Sequence, residues 1–191
     1  MSSLNKIKTM TVAALLCAIG IVIPFYSPFK IIIDPMSFTL ASHVAIFIAM
    51  FISPVVGIFV AFGTAFGFLI GGYQIIIVFR AFSQIIFILI GALILKKYNN
   101  ILLSLKSLIP FVVFISIIHA LGELAAVYVY YSFNAPSNVL TNTIIYLVGF
   151  GTFVHSLVDF TIAYLVWKPI QSVVHIPANA KIRTRPRGLK G

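Results

Sequence analysis

The chain has 191 residues, of which 61% are hydrophobic and only 8% charged, and its formal charge is +10. A soluble domain carries about 25% charged residues, so this chain has no polar coat for facing water. The basic residues gather at both termini and in one internal stretch, Lys96 to Lys106. That placement is a topological signal rather than a groove for phosphate, and it excludes nucleic acid as the partner. The lone cysteine, Cys17, excludes an internal disulfide and reads as a small core residue. Leu15 and Leu16 precede it where a lipoprotein site needs a small residue, and no small-x-small cleavage site ends the first apolar run. That run is expected to be a retained helix.

Taken in chain order, the apolar runs predict an all-α integral membrane protein, a six-helix bundle forming one transmembrane domain over 1–191. The first helix is expected over 9–25, ending near Pro24. Tyr26 to Ser37 follows, broken by Pro28 and Pro35, and its Ile31-Ile32-Ile33 core suits a segment folded back over the bundle. The second helix is expected over 38–53 and the third over 55–71, with Pro54 at the tight turn between them. The third is rich in small residues (Gly57, Ala61, Gly63, Ala65, Gly67), which let backbones approach where lipid gives helices no hydrophobic reason to associate. A fourth is expected over 75–95, a fifth over 109–131 and a sixth over 141–167, followed by a basic tail over 168–191. With six spans, Lys6, Lys8, Lys96, Lys97, Lys106, Lys168, Lys181, Arg183, Arg185, Arg187 and Lys190 share one side and Lys30 lies opposite, which puts both termini in the cytoplasm. Trp167 is expected as the inner aromatic anchor, and Tyr128, Tyr130 and Tyr131 as the outer one.

Charges in hydrocarbon are costly, so each needs a reason. Arg80 and Gln84, His119 and Glu123, and His155 and Asp159 are each four residues apart, which gives three helices one polar stripe apiece. Such stripes must face inward. By depth along the helices, Arg80, His43, Glu123, Tyr146 and Asn142 are expected to converge on a pocket in the outer half, floored by Gln84 and His119. Tyr73, Phe82, Tyr128 and Phe150 are expected to add aromatic walls. His155 and Asp159 are assigned to packing or partner contact nearer the inner half.

No glycine-rich phosphate loop with lysine is present, so ATP chemistry is not expected. Ser156 adjoins His155, but neighbours in a helix do not face each other. A metal set of His119, Glu123 and His155 is conceivable and would suit a CAAX-type membrane protease, yet the double-glutamate motif is missing. The expectation is a protein that is not an enzyme, with no cofactor and no metal.

Two local features make the chain resemble the substrate-binding S component of energy-coupling factor (ECF) vitamin transporters. In the first helix, Ala14 and Ala18 form the Ala-x-x-x-Ala face with which that family docks on its transmembrane coupling subunit. The stretch Ser37-Phe38-Thr39-Leu40-Ala41-Ser42-His43 through Phe47 to Pro54 is similar to the second helix of the branch assigned to niacin, with Ala45 where that pattern has proline. The resemblance covers the chain to about residue 170. It implies capture of a small anionic vitamin from outside, niacin first, followed by association with a coupling subunit and two cytoplasmic ATPases. For nicotinate, Arg80 would grip the carboxylate, His43 or His119 would donate to it or to the ring nitrogen, Tyr146 and Phe82 would flank the ring, and Glu123 would orient Arg80 or a histidine. The segment Tyr26 to Ser37 would act as a lid. Pantothenate or a pyridoxine-like ring remains open as the ligand. A self-sufficient secondary transporter moving protons through His155 and Asp159 remains open as the rival class.

Overall fold

The computed structural model describes residues 3–33, 36–134, 144–173 and 176–181. The described residues include the helices α1 (Ser3–Tyr26), α2 (Val44–Ile52), α3 (Pro54–Ile70), α4 (Ile75–Lys97), α5 (Leu105–Asn134) and α6 (Gly151–Val173). A π-helical segment, Ile145–Phe150, leads into α6. A two-stranded antiparallel hairpin, β1 (Lys30–Ile33) and β2 (Met36–Thr39), joins α1 to α2, with Lys30 opposite Thr39 and Ile33 opposite Met36.

Four segments are long and apolar enough to cross a membrane: Ser3–Tyr26, Ile75–Lys97, Leu105–Phe133 and Tyr146–Gln171. Their outward faces carry exposed Leu, Ile, Val and Phe side chains, while the buried residues include arginine, glutamate, aspartate and histidine. Apolar outside and polar within is the arrangement lipid demands, and the chain is an all-α, multi-pass membrane protein. The helix α3, with 17 residues, is shorter.

The largest departure from the sequence reading is at α2. The expected helix over 38–53 divides into strand β2, a turn at 40–43 and a helix of only 9 residues. At about 1.5 Å per residue such a helix is roughly 13 Å long, less than half a bilayer core. All of its residues are buried, and it packs among α1, α3, α4 and α6. An element apolar all round is stable only when wholly surrounded. Phe47 and Phe51 meet Phe160 of α6 edge-on at 5.2 and 5.4 Å, and Phe47 lies 5.4 Å from Phe87 of α4. The helix ends at Ser53, whose Oγ accepts from the Val56 amide and so caps α3, with Pro54 opening α3 where a missing N–H costs nothing.

The segment Tyr26 to Ser37 is also resolved differently from a simple lid loop, being half of a hairpin. Phe38 of β2 lies 5.3 Å from the His155 ring, and a Cβ built on Gly151 of α6 would come within 2.6 Å of the Phe38 ring. These contacts hold the hairpin over one end of the bundle. At the other end, residues 176–181 close the floor: the Asn179 and Ala180 amides donate to Ile52 and Phe51 carbonyls, and Lys181 donates to Asn99. Trp167, expected at an aqueous interface, is only 1% exposed in the core, so it is not an interfacial anchor.

Small residues of α3 let it pack closely against α1. Gly63, Gly67 and Gly71 recur every four residues, and a Cβ on each would meet Cys17, Ile21 and Phe25 respectively. Cys17 is thus a packing residue at this seam. We expect Gly67→Val to force α1 off α3 and to cost about 1–3 kcal/mol, read as a lower midpoint of thermal unfolding in detergent with the helical content retained before the transition.

Candidate functional site

The inward stripes of α4, α5 and α6 meet the N-terminus of α2, and Arg80, Gln84, His119, Glu123, His155 and Asp159 each have a partner in a neighbouring element. Arg80 donates to Glu123 Oε2 from both Nε (3.1 Å) and Nη2 (2.7 Å). Glu123 Oε2 also accepts from Thr152 at 2.9 Å, while its Oε1 accepts from Gln84 Nε2 at 3.3 Å and from His119 Nε2 at 3.2 Å. His119 Nδ1 faces Ser156 Oγ at 3.1 Å. The second half of the network centres on Asp159. Its Oδ1 accepts from the Ala41 amide at 2.8 Å, and its Oδ2 accepts from the His43 amide at 2.9 Å and from His43 Nδ1 at 3.1 Å. His155 Nε2 lies 3.3 Å from Asp159 and 3.1 Å from Ser42 Oγ.

This explains Asp159 without a partner protein. The first N–H groups of a helix have no intrahelical acceptor, and α2 begins with no side-chain cap of its own. Asp159 supplies that cap from α6, where the positive end of the helix dipole also favours its charge. The turn it grips is strained, since Ala41 has φ 67°, a conformation an L-residue adopts at a cost of roughly 1–2 kcal/mol.

The two halves join through Gln84, whose Nε2 is 2.9 Å from His43 Nε2. Because that same nitrogen donates to Glu123, it is the amide N, and His43 Nε2 is the acceptor. His43 therefore carries its proton on Nδ1, toward Asp159. His119 carries its proton on Nε2, toward Glu123, and accepts from Ser156. The rings of His119 and His155 stand 4.8 and 4.9 Å from that of His43, both edge-on.

Beside the network lies a cavity of about 50 Å³, lined by Arg80, Gln84, Glu123 and His43 together with Ser37, Thr39 and Ser42 of the hairpin and turn, and Thr64, Phe68 and Tyr73 of α3 and its exit loop. One water needs ~10–15 Å³ by this measure, so the space holds a few waters. Arg80 Nη1 has no hydrogen-bond partner among the described residues, on a side chain that lines this cavity. Thr64 Oγ1, also lining it, is buried without a partner.

The structure brings Arg80, Gln84, His43, His119 and Glu123 together. It does not bring Tyr146, which is 71% exposed on the face of its helix opposite Thr152, Ser156 and Asp159. Phe82 is two residues past Arg80 and packs instead with Phe68 and Val78, edge-on to Phe62. Phe150 and Tyr128 are exposed, Phe150 lining a separate groove beside the hairpin. The aromatic wall is Phe68 and Tyr73, whose rings are 4.7 Å apart. Asn142 lies outside the described residues. Ala14 and Ala18 face outward from α1. The sequence reading missed the hydroxyls of Ser42, Thr64 and Thr152, and considered Ser156 only as a neighbour of His155; Thr152 and Ser156 lie seven and three residues before Asp159, on its inward face, and that spacing was the available signal.

Two other chemistries meet obstacles in these contacts. His43, His155 and Asp159, and His43, His119 and Glu123, each gather metal-ligand atoms within 4.8 Å. A metal on the first set needs His43 Nδ1 bare, which turns an Nε2–H against the Gln84 amide. On the second set it would sit beside the Arg80 guanidinium. Ser156, His119 and Glu123 lie in triad order, but Ser156 is fully buried, does not line the cavity, and faces Nδ1 rather than Nε2.

Asp159→Asn replaces an acceptor of three N–H groups with one that presents donors of its own. We expect a loss of at least ~2 kcal/mol of stability, measured as a lower unfolding midpoint, with α2 amides becoming the first in the core to exchange with deuterium.

No family model matches the chain, and no solved structure matches it. Among curated proteins it is similar to the niacin transporter NiaX of Lactococcus lactis subsp. cremoris (strain MG1363), with 39% identity over 161 residues, covering 83% of this chain and 72% of that protein. Identity at that level over that length shows the family: the chain belongs with that niacin transporter, among the S components of energy-coupling factor transporters.

Proposed function

We propose that the protein is the niacin-binding subunit of an ECF-type importer, capturing nicotinate in the cavity beneath the hairpin. The observation that carries this is Arg80. Its Nε and Nη2 are committed to Glu123, which fixes the guanidinium plane, while Nη1 is left for a guest at the cavity wall. A guanidinium held flat by one carboxylate is preorganised to grip a second. His43 and Gln84 supply further polar contacts, and Phe68 and Tyr73 supply faces for a pyridine ring. The niacin transporter relative supports the choice of ligand. A ring needs more room than the present cavity gives, and the hairpin is the element able to yield: Phe29 and Ile31 are 69% and 62% exposed, and its hold on α6 is the Phe38 contact. Lifting it opens the site; lowering it excludes water.

The rest of the reading concerns energy. The outward face of α1, with Ala14 and Ala18 between exposed Leu15 and Ile19, offers a flat small-residue surface for a transmembrane coupling subunit. Two cytoplasmic ATPases complete the importer. The excess of lysine at the end of the bundle where α1 begins supports cytoplasmic termini, with the hairpin outside.

Removing Arg80 alone would strand Glu123 in the core, a loss of roughly 3–5 kcal/mol. The informative variant is Arg80→Gln with Glu123→Gln, which keeps the site neutral and hydrogen-bonded. We expect it to fold and to bind nicotinate at least ~100-fold more weakly by calorimetric titration in detergent; affinity within threefold of the parent sinks the site. Ala14→Trp should leave binding unchanged and stop uptake in cells expressing the whole importer. The parent chain alone in liposomes should bind nicotinate without accumulating it, and accumulation there would favour the self-sufficient proton-coupled carrier.

A further inference from the structure

The charges of the buried network do not balance. Arg80 brings one positive charge, Glu123 and Asp159 one negative charge each, and the three histidines satisfy their contacts with a single ring proton apiece, that of His155 on Nε2 toward Asp159 and Ser42. In that state the cluster carries a net charge of −1. A nicotinate carboxylate entering the cavity would make it −2 among side chains that are nearly all buried. The guanidinium cannot offset this, because Glu123 already neutralises it at 2.7 Å.

His43 is where the imbalance is relieved. It lines the cavity, and its Nε2 is an acceptor held by Gln84 at 2.9 Å. Its Nδ1–H is held by Asp159, a carboxylate that remains in place whether the ring is neutral or charged. The groups facing it are Asp159 and His155 of α6, His119 and Glu123 of α5, Arg80 and Gln84 of α4, and Ser42 beside it in the turn. Among the described residues α1 and α3 present no ionisable group to the cavity, and the loop after α3 adds the Tyr73 phenol. A proton arriving on Nε2 converts the acceptor that faces Gln84 into a donor and puts a positive charge on a ring that lines the cavity. That charge offsets the charge of an anionic guest, and Gln84 meets the new N–H by turning its amide oxygen to the ring, so the guest and the proton favour each other.

We propose that nicotinate binding is coupled to uptake of one proton from solvent, taken by His43 Nε2, so that the vitamin and a proton are captured together. This rests on the nicotinate reading above. The proton comes from bulk water or buffer, one N–H bond forms, and no bond of the ligand breaks. The loaded site then returns to a net charge of −1. The coupling also acts as a filter, because a neutral amide analogue needs no proton, gains nothing from one and binds without it.

Titration of the purified chain with nicotinate in phosphate and in Tris, buffers of different ionisation enthalpy, reads the proton count directly. We expect about one proton taken up per nicotinate and none per nicotinamide, with the nicotinate Kd rising ~10-fold per pH unit on the alkaline side. In His43→Gln the nicotinate that still binds should do so with no proton uptake and a flat pH profile. Tight nicotinate binding by the parent chain with no buffer dependence overturns the coupling and leaves the niacin reading intact. Absence of nicotinate binding at any pH between about 6 and about 9 overturns the niacin reading itself. Undiminished proton uptake in His43→Gln overturns the assignment to His43. Since the parent chain alone decides the coupling, a variant that fails to fold does not protect the proposal.

Discussion

Asp159 caps a helix to which it does not belong, and the rest of the bundle is arranged around that contact. A helix of nine residues inside a membrane protein has end groups that cannot reach water. Without the α6 carboxylate, the amides of Ala41 and His43 would be left unsatisfied in the core. Once that carboxylate is in place, the turn before α2 is fixed, Ala41 is held in its strained conformation, and the His43 ring is oriented between α4, α5 and α6. Structure and site share one interaction: the group that holds the turn before α2 also sets which nitrogen of His43 carries the proton and which is left to Gln84.

The second constraint is the Arg80–Glu123 pair. A buried ion pair is weak evidence of stability, because desolvation consumes most of what the attraction returns. Here Glu123 also receives Thr152, Gln84 and His119, so its lone pairs are satisfied from three helices. The result is a rigid guanidinium plane facing a small cavity, in a family whose relative carries niacin. An arginine free to swing would have to be ordered at the moment of binding, and that cost would be taken from affinity.

Much of this was legible in the sequence because charge in lipid demands an explanation. The pairs Arg80 and Gln84, His119 and Glu123, and His155 and Asp159 stood out by spacing, and they do face inward. What depth along a helix does not supply is azimuth. Tyr146 and Phe150 lie at a depth suited to a pocket yet point outward, and Phe82 shares the level of Arg80 but not its face. His155 and Asp159 were separated from the others by a similar error of geometry. The position of α2 was measured as though it spanned the bilayer, whereas it starts in mid-bundle, where Asp159 reaches it. The hairpin was hidden because Ile31 to Ile33 and the stretch from Phe38 are apolar enough to continue a helix, and the strand pairing that decides otherwise is a matter of tertiary contact.

The brevity of α2 bears on how the protein is made. Ribosomes release the chain from its N-terminus, so α1, α2 and α3 leave the tunnel long before residue 159 exists. A nine-residue segment is too short to be threaded across a bilayer on its own account, and the acceptor for its leading amides is still unsynthesised. Until α6 is made, the amides of Ala41 and His43 lack the Asp159 carboxylate that accepts from them. A helix translated later therefore locks one translated earlier, and a nascent chain that stops before α6 leaves the turn at the head of this apolar helix without its acceptor.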